Sequence, residues 1–250
     1  MGGPGHEVSG ELRKLLETRA LTVVFQPIYA FREARVLGFE ALVRGPEGSA
    51  LQSPAALFSA AHDQGLANEI NVLCITEVLR AFAAREYPGS LFLNVSPQFI
   101  LKRGFERGRA ERFLADLGIA PDRVVIELTE DHPTFDFPVV HDSLMLYRSM
   151  GFRIAIDDLG EGYSGLTSFA LLEPETVKLD MSLIRGIDQV PMKKKLVRAM
   201  ATLCRELDAR LVAEGVETPA ERDTLTELGV DLLQGFLFAV PDFPFPIPKI

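Results

Sequence analysis

The chain is organised around Ile154-Ala-Ile-Asp-Asp-Leu-Gly-Glu-Gly-Tyr-Ser-Gly-Leu166, in which three apolar residues run into two adjacent carboxylates and a glycine-rich loop. Neighbouring side chains on a strand point to opposite faces, so Asp157 and Asp158 can face one object only where the strand ends. Two such acids at a buried strand end repel each other and resist desolvation. A divalent cation with hard oxygen ligands suits this pair. The alternative is that Asp157 ends the strand and Asp158 caps a following helix.

Short apolar segments recur along the chain and predict eight β-strands, over residues 22–28, 36–43, 90–95, 123–128, 153–158, 176–180, 210–215 and 231–235. The first two form an antiparallel hairpin, because their connection is too short for a parallel crossover. Folding this hairpin at its central turn brings Gln26 level with Phe39 or Glu40. The other strands alternate with helical patterns. The sequence therefore predicts an α/β fold, a modified TIM-type (β/α)8 barrel with an antiparallel first strand.

The composition bounds the size and the surroundings of this fold. The chain has 250 residues, of which 47% are hydrophobic and 24% charged, and this suits one domain with a large core. We expect a tail and lead-in helix over residues 1–18, the barrel over 19–242 and a proline-rich tail over 243–250. The net charge of −9 argues against sequence-independent binding of duplex nucleic acid, which needs a basic face.

Two further features concern the location of the protein. Cys74 and Cys204 are far apart in otherwise helical patterns, so the sequence predicts neither a disulfide framework nor a cysteine-based zinc site. No apolar run approaches the roughly 18 residues of a membrane span. We therefore expect a cytoplasmic protein without a membrane span.

Polar side chains stand at the end of each apolar strand: Gln26, Glu40, Asn94, Glu127, Asp157 with Asp158, Lys178, Glu214 and Gln234. In a barrel of this type the carboxyl ends of the strands meet on one face, where the chemistry is performed. Oxygen donors without Cys or His suit Mg²⁺ or Mn²⁺ better than zinc. Two ions about 3.5–4 Å apart, with Asp157 as the bridge, would support an in-line phosphoryl displacement.

Four other assignments each have a structural alternative. Lys178 can hold or deprotonate an attacking water, or it can form a salt bridge to Asp180 or a neighbouring acid. Arg44, which lies beyond the predicted second strand, can bind a substrate phosphate in a bidentate manner or form a surface ion pair. Glu130 and Glu217 each lie three residues beyond a predicted ligand. They either brace the loops around the site or are solvated loop acids.

Eight short motifs follow one another between residues 21 and 241: Phe25-Gln-Pro-Ile28, Glu40-Ala-Leu42 with Arg44, Asn94-Val-Ser-Pro97, Glu127-Leu-Thr-Glu130, Asp157-Asp-Leu-Gly-Glu-Gly-Tyr-Ser164, Lys178-Leu-Asp180, Ala213-Glu-Gly-Val-Glu217 and Gln234-Gly-Phe236. In this order they resemble the EAL-domain phosphodiesterases, metal-dependent enzymes that hydrolyse the bacterial second messenger cyclic di-GMP. Eight ordered motifs are far more specific than a single glycine-rich turn.

The resemblance implies a reversed-strand barrel with two Mg²⁺ or Mn²⁺ ions. One ion would be held by Glu40, Asn94, Glu127 and Asp157, and the other by Asp157, Asp158 and Glu214. The catalytic group would comprise Lys178, Asp158, Glu214 and Gln234. Within it, Lys178 would orient or activate the nucleophilic water, and Gln234 would assist around the water or the substrate.

The resemblance also implies a substrate and partners. Gln26, Arg44 and Asp180 would contact the dinucleotide, and the product would be linear pGpG. Glu130, with Glu217, would anchor loops, Glu130 pinning the loop over residues 160–166 near a homodimer interface. Sensory or diguanylate cyclase domains would flank this one in a full-length protein.

The chain departs from the family pattern at five positions. Leu159, Glu161 and Gly165 replace a Phe, a small residue and a Ser of the family loop, which predicts a more charged and more flexible loop. Gly45 replaces an aromatic residue, and His62 replaces a glutamate. We expect His62 to be an exposed helix residue. The changes at Leu159, Glu161 and Gly165 favour an alternative function, a cyclic di-GMP sensor with weak or no hydrolysis. A third alternative, an enolase-like barrel, is suggested by fold analogy alone and does not explain the motifs.

Overall fold

The computed structural model describes residues 4–85, 89–101, 107–129, 137–160, 165–230 and 232–248. Its strands are β1 (Thr22–Ala30), β2 (Arg35–Arg44), β3 (Ser90–Asn94), β4 (Val124–Thr129), β5 (Arg153–Leu159), β6 (Thr176–Leu179), β7 (Arg210–Ala213) and β8 (Leu232–Leu233). They form one closed barrel in sequence order. Strand β1 is antiparallel to both of its neighbours, whereas the remaining pairs are parallel. The predicted fold class is confirmed.

One helix precedes the strands and the others lie between them along the chain: α1 (Pro4–Thr18), α2 (Pro54–Asp63), α3 (Ala67–Ala83), α4 (Pro97–Leu101), α5 (Arg107–Asp116), α6 (Phe137–Ser149), α7 (Gly165–Leu172), α8 (Met181–Ile184), α9 (Pro191–Glu206) and α10 (Pro219–Glu227). The sequence did not predict α4 or α8, because four or five residues are too few to display a helical period. Ser53 begins α2 by accepting a hydrogen bond from the Ala56 amide, and Pro54 follows it at the first helical position.

Alternation along each strand divides the core into two parts. Residues that face outward join the large cluster between the strands and the helices. Residues that face inward at the lower half of the barrel form a separate cluster, which we name the apolar layer: Ile28, Ala30, Leu37, Phe92, Val125, Ala155, Val212 and Leu232. All members of the apolar layer are buried. The barrel is therefore filled by side chains at this level.

The register of two strands fixes where the site forms. Gln26 pairs with Glu40 across the hairpin, which is one of the two registers that the sequence allowed. Strand β5 does not end at its acids, as we expected, but continues to Leu159. Its pairing with β6 shifts between Ile156 and Leu159, and Asp158 has a φ of 54°. A bulge with one left-handed residue thus re-aims the second carboxylate, and the expected strand end is wrong.

The segment over residues 242–248 packs on the outer face of the hairpin. The Phe245 ring lies 4.5 Å from Phe25 and 4.8 Å from Phe39 between ring centroids. The Phe25 amide donates to the Asp242 carbonyl over 2.8 Å, and the Asp242 amide donates back over 3.0 Å. At the other end of the chain, α1 packs against α2 and α3. The domain limits at residues 18 and 242 stay predictions.

Two simpler expectations concern cysteines and membranes. Cys74 and Cys204 are buried free thiols, and burial raises their pKa values to about 12 and about 11. No helix in the described part of the chain combines the length and apolarity that a membrane crossing requires.

Candidate metal centre and substrate cleft

A complete ring of polar side chains lies one step above the apolar layer. Six of its members lie two residues along the chain from a member of the apolar layer, on the side of the common rim. The other two are Glu40, three residues beyond Leu37, and Lys178, two residues beyond the buried Thr176. We name it the polar ring: Gln26, Glu40, Asn94, Glu127, Asp157, Lys178, Glu214 and Gln234. For seven members, the ring residue comes after the lower inward-facing residue along the chain. Gln26 comes before its lower residue, because β1 runs in the opposite direction.

Lys178 occupies the centre of the polar ring. Its Nζ lies 3.1 Å from Glu40 Oε2, 3.0 Å from Glu127 Oε1, 3.0 Å from Asp157 Oδ1 and 2.5 Å from Glu214 Oε1. The lysine side chain is completely buried. Its alternative role as a salt-bridge partner is thus observed, with four carboxylates of the polar ring.

The carboxylates form two groups that share one member. The oxygens of Glu40, Glu127 and Asp157 lie within 4.8 Å of one another, and so do those of Asp157, Asp158 and Glu214. We name them the first and the second carboxylate group. The sharing of Asp157 is the geometry that a bridging ligand between two ions requires.

Charge in the ring is unbalanced. Burial raises the pKa values of Glu127, Asp157 and Glu214, although the Lys178 ammonium opposes this rise. Burial also disfavours the charged form of Lys178, but the surrounding carboxylates outweigh it and raise the pKa of the lysine. One ammonium therefore faces more carboxylates than it can neutralise, and additional positive charge would favour the ionised acids.

Glu127 supplies the test of whether hard cations fit. It is fully buried, and neither of its carboxylate oxygens accepts a hydrogen bond from the described residues, although Lys178 is at ion-pairing distance from one. Buried carboxylate oxygens are normally satisfied by donors or by a metal. The carboxylates and amides of the ring offer oxygen atoms as metal ligands, and such ligands suit Mg²⁺, Mn²⁺ or Ca²⁺. The residues present fit a centre for such ions.

Amide side chains orient the first carboxylate group. Asn94 Nδ2 donates to Glu40 Oε1 over 2.9 Å, and Gln234 Nε2 donates to Glu40 Oε2 over 2.6 Å. Gln234 Nε2 also reaches Gln26 Oε1 at 3.1 Å. Burial opposes ionisation of Glu40, but Lys178 and these two amides outweigh it, so the pKa of Glu40 is lowered. Lys178 and the amides together therefore favour ionised Glu40, and the amides fix both of its oxygens.

A cleft of about 700 Å³ opens beside the ring. Asn94 and Glu127 belong to its wall, together with Phe58 and His62 of α2 and Asn71 of α3. Its volume is within the range of small-molecule sites, which bury most of their ligand. His62 is exposed, as expected, and it lines this cleft.

The remaining predicted residues have other surroundings. Arg44 is the last residue of β2, so its expected position beyond the strand is wrong, and its Nη1 donates to the Val43 carbonyl over 2.8 Å. Asp180 is buried and accepts a hydrogen bond from the Ser182 amide at the start of α8. Glu217 forms an ion pair with Arg185 at 2.8 Å.

Two predictions fall wholly or partly on residues that the structure does not describe. Glu130 lies outside the described residues, and so does most of the loop with the family departures, including Glu161. Within this region Leu159 is buried and pairs with Leu179, and Gly165 begins α7.

Sequence reasoning missed Glu221. This buried side chain accepts hydrogen bonds from the backbone amides of Gly186 at 2.8 Å, Glu217 at 3.0 Å and Thr218 at 3.0 Å. Burial opposes ionisation of Glu221, but these amides outweigh it and lower its pKa. A capping box, Thr218-x-x-Glu221, was a signal in the sequence for the local contacts. The contact with Gly186, 35 positions away along the chain, had no sequence signal.

Comparisons with known proteins agree on one family. The model of the EAL domain matches residues 9–241. Cyclic di-GMP phosphodiesterase PdeR of Escherichia coli (strain K12) is 31% identical over 235 residues, which cover 92% of this chain and 35% of that protein. This chain spans about a third of the length of the first curated relatives it matches.

Solved structures with similar folds were determined with ligands. Klebsiella pneumoniae BlrP1, in complex with calcium and cyclic di-GMP, gives a TM-score of 0.81 at 31% identity, over 89% of this chain and 56% of that chain. The PaMucR phosphodiesterase, in complex with cyclic di-GMP, gives a TM-score of 0.82 at 28% identity, over 94% of this chain and 97% of that chain.

Proposed function

We propose that this chain, which belongs to the EAL domain family, is a metal-dependent phosphodiesterase that hydrolyses cyclic di-GMP to linear pGpG. One observation carries the proposal. Two carboxylate groups share Asp157 at the rim of the barrel, and Lys178 lies at ion-pairing distance from both. The name of PdeR and the cyclic di-GMP complexes of BlrP1 and PaMucR support the choice of substrate.

We assign two Mg²⁺ or Mn²⁺ ions to the polar ring. Glu40, Glu127 and Asp157, with the Asn94 amide oxygen, would hold one ion, and Asp157, Asp158 and Glu214 would hold the other. A manganese complex of BlrP1, 30% identical to this chain with a TM-score of 0.81, supports this assignment. When bound, such ions activate water and stabilise the attacking and the leaving oxygen of an in-line displacement.

The protein's own groups position the reactants. The Lys178 ammonium has three N–H donors and is enclosed by four carboxylates. When ions bind these carboxylates, an N–H of Lys178 would be released to donate a hydrogen bond to the attacking water and orient it. Gln234 keeps Glu40 oriented through the 2.6 Å hydrogen bond. The water oxygen loses a proton and forms a bond to phosphorus, and the bond from phosphorus to the 3′ oxygen breaks. The 3′ oxygen takes up one proton, so that one water molecule is consumed for each bond cleaved.

The substrate would occupy the rim and the adjoining cleft. We assign Gln26, Arg44 and Asp180 to the dinucleotide; Arg44 is suited to a phosphate because a guanidinium binds it in a bidentate manner. Glu217 remains a candidate loop anchor through its ion pair with Arg185. The same role is proposed for Glu130.

The cellular setting is also part of the proposal. We propose a cytoplasmic homodimer, joined in a longer protein to sensory or diguanylate cyclase domains. The greater length of the curated relatives supports additional domains. Exposed apolar side chains on α9, namely Met192 at 71% and Leu196 at 45%, support self-association.

A direct test incubates metal-free protein with cyclic di-GMP and follows pGpG by chromatography, without metal and after addition of Mg²⁺ or Mn²⁺. We expect pGpG only with added metal, and its loss on chelation. Linear pGpG as the starting substrate is the control for specificity. Tight binding of cyclic di-GMP without release of pGpG in either metal would contradict the enzyme and support the sensor alternative.

A further inference from the structure

The one-turn helix α8 lies between the two turns that carry the unshared ligands of the second carboxylate group. Gly160 is two residues beyond Asp158, and a Cβ at this glycine would lie 2.7 Å from Leu183 Cδ1. Gly215 directly follows Glu214, and a Cβ there would lie 2.4 Å from Met181 Cβ. Both glycines have positive φ, at 119° and 64°. Side chains of α8 therefore contact the backbone next to Asp158 and Glu214, so a shift of α8 would move the backbone beside both acids.

Helix α8 cannot hold this position by itself. It has four residues, Met181–Ile184, which is too short for independent helical stability. Its first turn is capped by Asp180. Beyond its last turn, Lys193 Nζ donates to the carbonyls of Ser182 and Arg185 over 2.6 Å and 2.7 Å. Its placement thus depends on contacts from other elements.

Glu221 makes the contact that joins α8 to the turn after β7. One of its oxygens accepts from the Gly186 amide, two residues after α8, and the other accepts from the amides of Glu217 and Thr218. The ion pair between Arg185 and Glu217 spans the same gap, but both partners are exposed, at 55% and 42%, so it contributes little. The buried, charge-assisted bonds of Glu221 are the stronger link.

We propose that Glu221 is a positioning residue that fixes the second carboxylate group through α8. Removal of its carboxylate frees α8 from the turn after Glu214 and loosens the arrangement of Asp158 and Glu214. Glu40 and Glu127 of the first carboxylate group lie on β2 and β4, so the first group keeps its geometry. For its effect on turnover this inference rests on the proposed function, whereas its effect on metal binding does not.

The experiment compares Glu221→Ala and Glu221→Gln with Thr218→Ala. Thr218→Ala removes the side-chain cap of α10 but keeps the three backbone amides that bind the Glu221 carboxylate, so it controls for loss of the helix cap. Mn²⁺ is titrated into each metal-free protein by calorimetry, and Asp158→Asn identifies which binding event belongs to the second group. The melting temperature, kcat and KM are measured in parallel.

We expect Glu221→Ala to weaken the event assigned to the second group by about 10-fold or more and to lower kcat by a similar factor, with KM nearly constant. Glu221→Gln should lie between it and the wild type, because the amide keeps one acceptor oxygen. Thr218→Ala should lower the melting temperature without changing Mn²⁺ binding or kcat.

Wild-type Mn²⁺ binding by Glu221→Gln and by folded Glu221→Ala would overturn the proposal, as would equal losses in Thr218→Ala. If the wild type binds Mn²⁺ but produces no pGpG, only the proposed function fails. The titration then still decides the role of Glu221.

Discussion

The inside of the barrel contains two layers, one above the other along the strands, that differ in polarity and in charge. The apolar layer is closed and buried, and each of its members contributes to stability by leaving water. The polar ring above it places three buried carboxylates and the partly buried Glu214 around one lysine. Burial of charge costs stability unless pairing is nearly complete. The apolar layer thus stabilises the fold, whereas the polar ring is suited to bind ligands.

The largest expected effect comes from Asp157, the residue shared by both carboxylate groups. Asp157→Asn should lower pGpG production by roughly 10³-fold, the size found when one preorganised electrostatic contact is removed from an active site. The unfolding midpoint should stay or rise, because a buried charge is lost. Asp223→Asn, on the exposed side of α10, is the matched control. If Asp157→Asn produced pGpG at a rate similar to that of Asp223→Asn, the polar ring would not take part in the reaction.

Removal of the central ammonium should have the largest effect on stability. Lys178→Met leaves the buried acids without their cation and should lower the free energy of unfolding of the metal-free protein by about 3–5 kcal/mol at neutral pH. Urea unfolding in chelator measures this change. Equal stability of variant and wild type would show that Lys178 does not sustain the ring.

The same variant makes a prediction about pH. Burial raises the pKa values of Glu127, Asp157 and Glu214, so between the unfolded and the folded pKa the native state binds more protons than the unfolded chain. Stability therefore falls as the pH rises through this interval. Without Lys178 the decline above the ordinary carboxyl pKa should steepen, and added Mn²⁺ should reduce it. A shallower decline than that of the wild type would contradict this assignment.

The apolar layer should respond in the opposite manner. Val125→Ala deletes buried methyl groups two residues below Glu127 and should cost about 2 kcal/mol of stability. Turnover by the folded variant should remain within a few-fold of the wild type, since no ring contact is lost. Thermal unfolding and pGpG assays on the same sample test this separation. A loss of turnover as large as that of Asp157→Asn would show that the two layers are not independent.

The smallest expected effect concerns Gln234, which donates to Glu40. Gln234→Ala removes this donor, so the pKa of Glu40 should rise and turnover should fall by about 10-fold. A profile of rate against pH should show its acid-side inflection at a higher pH than in the wild type, because Glu40 is then protonated earlier as the pH falls. If the pH of the acid-side inflection did not change, the inflection would belong to a group other than Glu40.

The period of two along each strand made the polar ring largely predictable. Once the strands were identified, each strand end supplied its ring residue, and the hairpin limited Gln26 to two possible partners. The bulge at Asp158 was not predictable, because a left-handed aspartate is stabilised by its neighbours and not by local preference. Arg44 was misplaced for a similar reason, since strand ends depend on pairing across the barrel.

Contacts between distant segments were outside the reach of the sequence. The cleft combines α2, α3 and the ends of β2 and β3, and no local pattern brings Phe58 of α2 beside Asn94 of β3. Glu221 had a local signal as a helix cap, but its partner Gly186 became known only from the packing of α8. Sequence patterns therefore predicted the ligands better than the shell that positions them.

The central claim, that the polar ring binds two ions bridged by Asp157, is tested most directly by anomalous diffraction at the manganese edge from crystals of the Mn²⁺-loaded protein. We predict two anomalous peaks about 3.5–4 Å apart, both within ligand distance of Asp157. A single peak, or peaks away from Asp157 with Lys178 still paired to all four carboxylates, would contradict this claim.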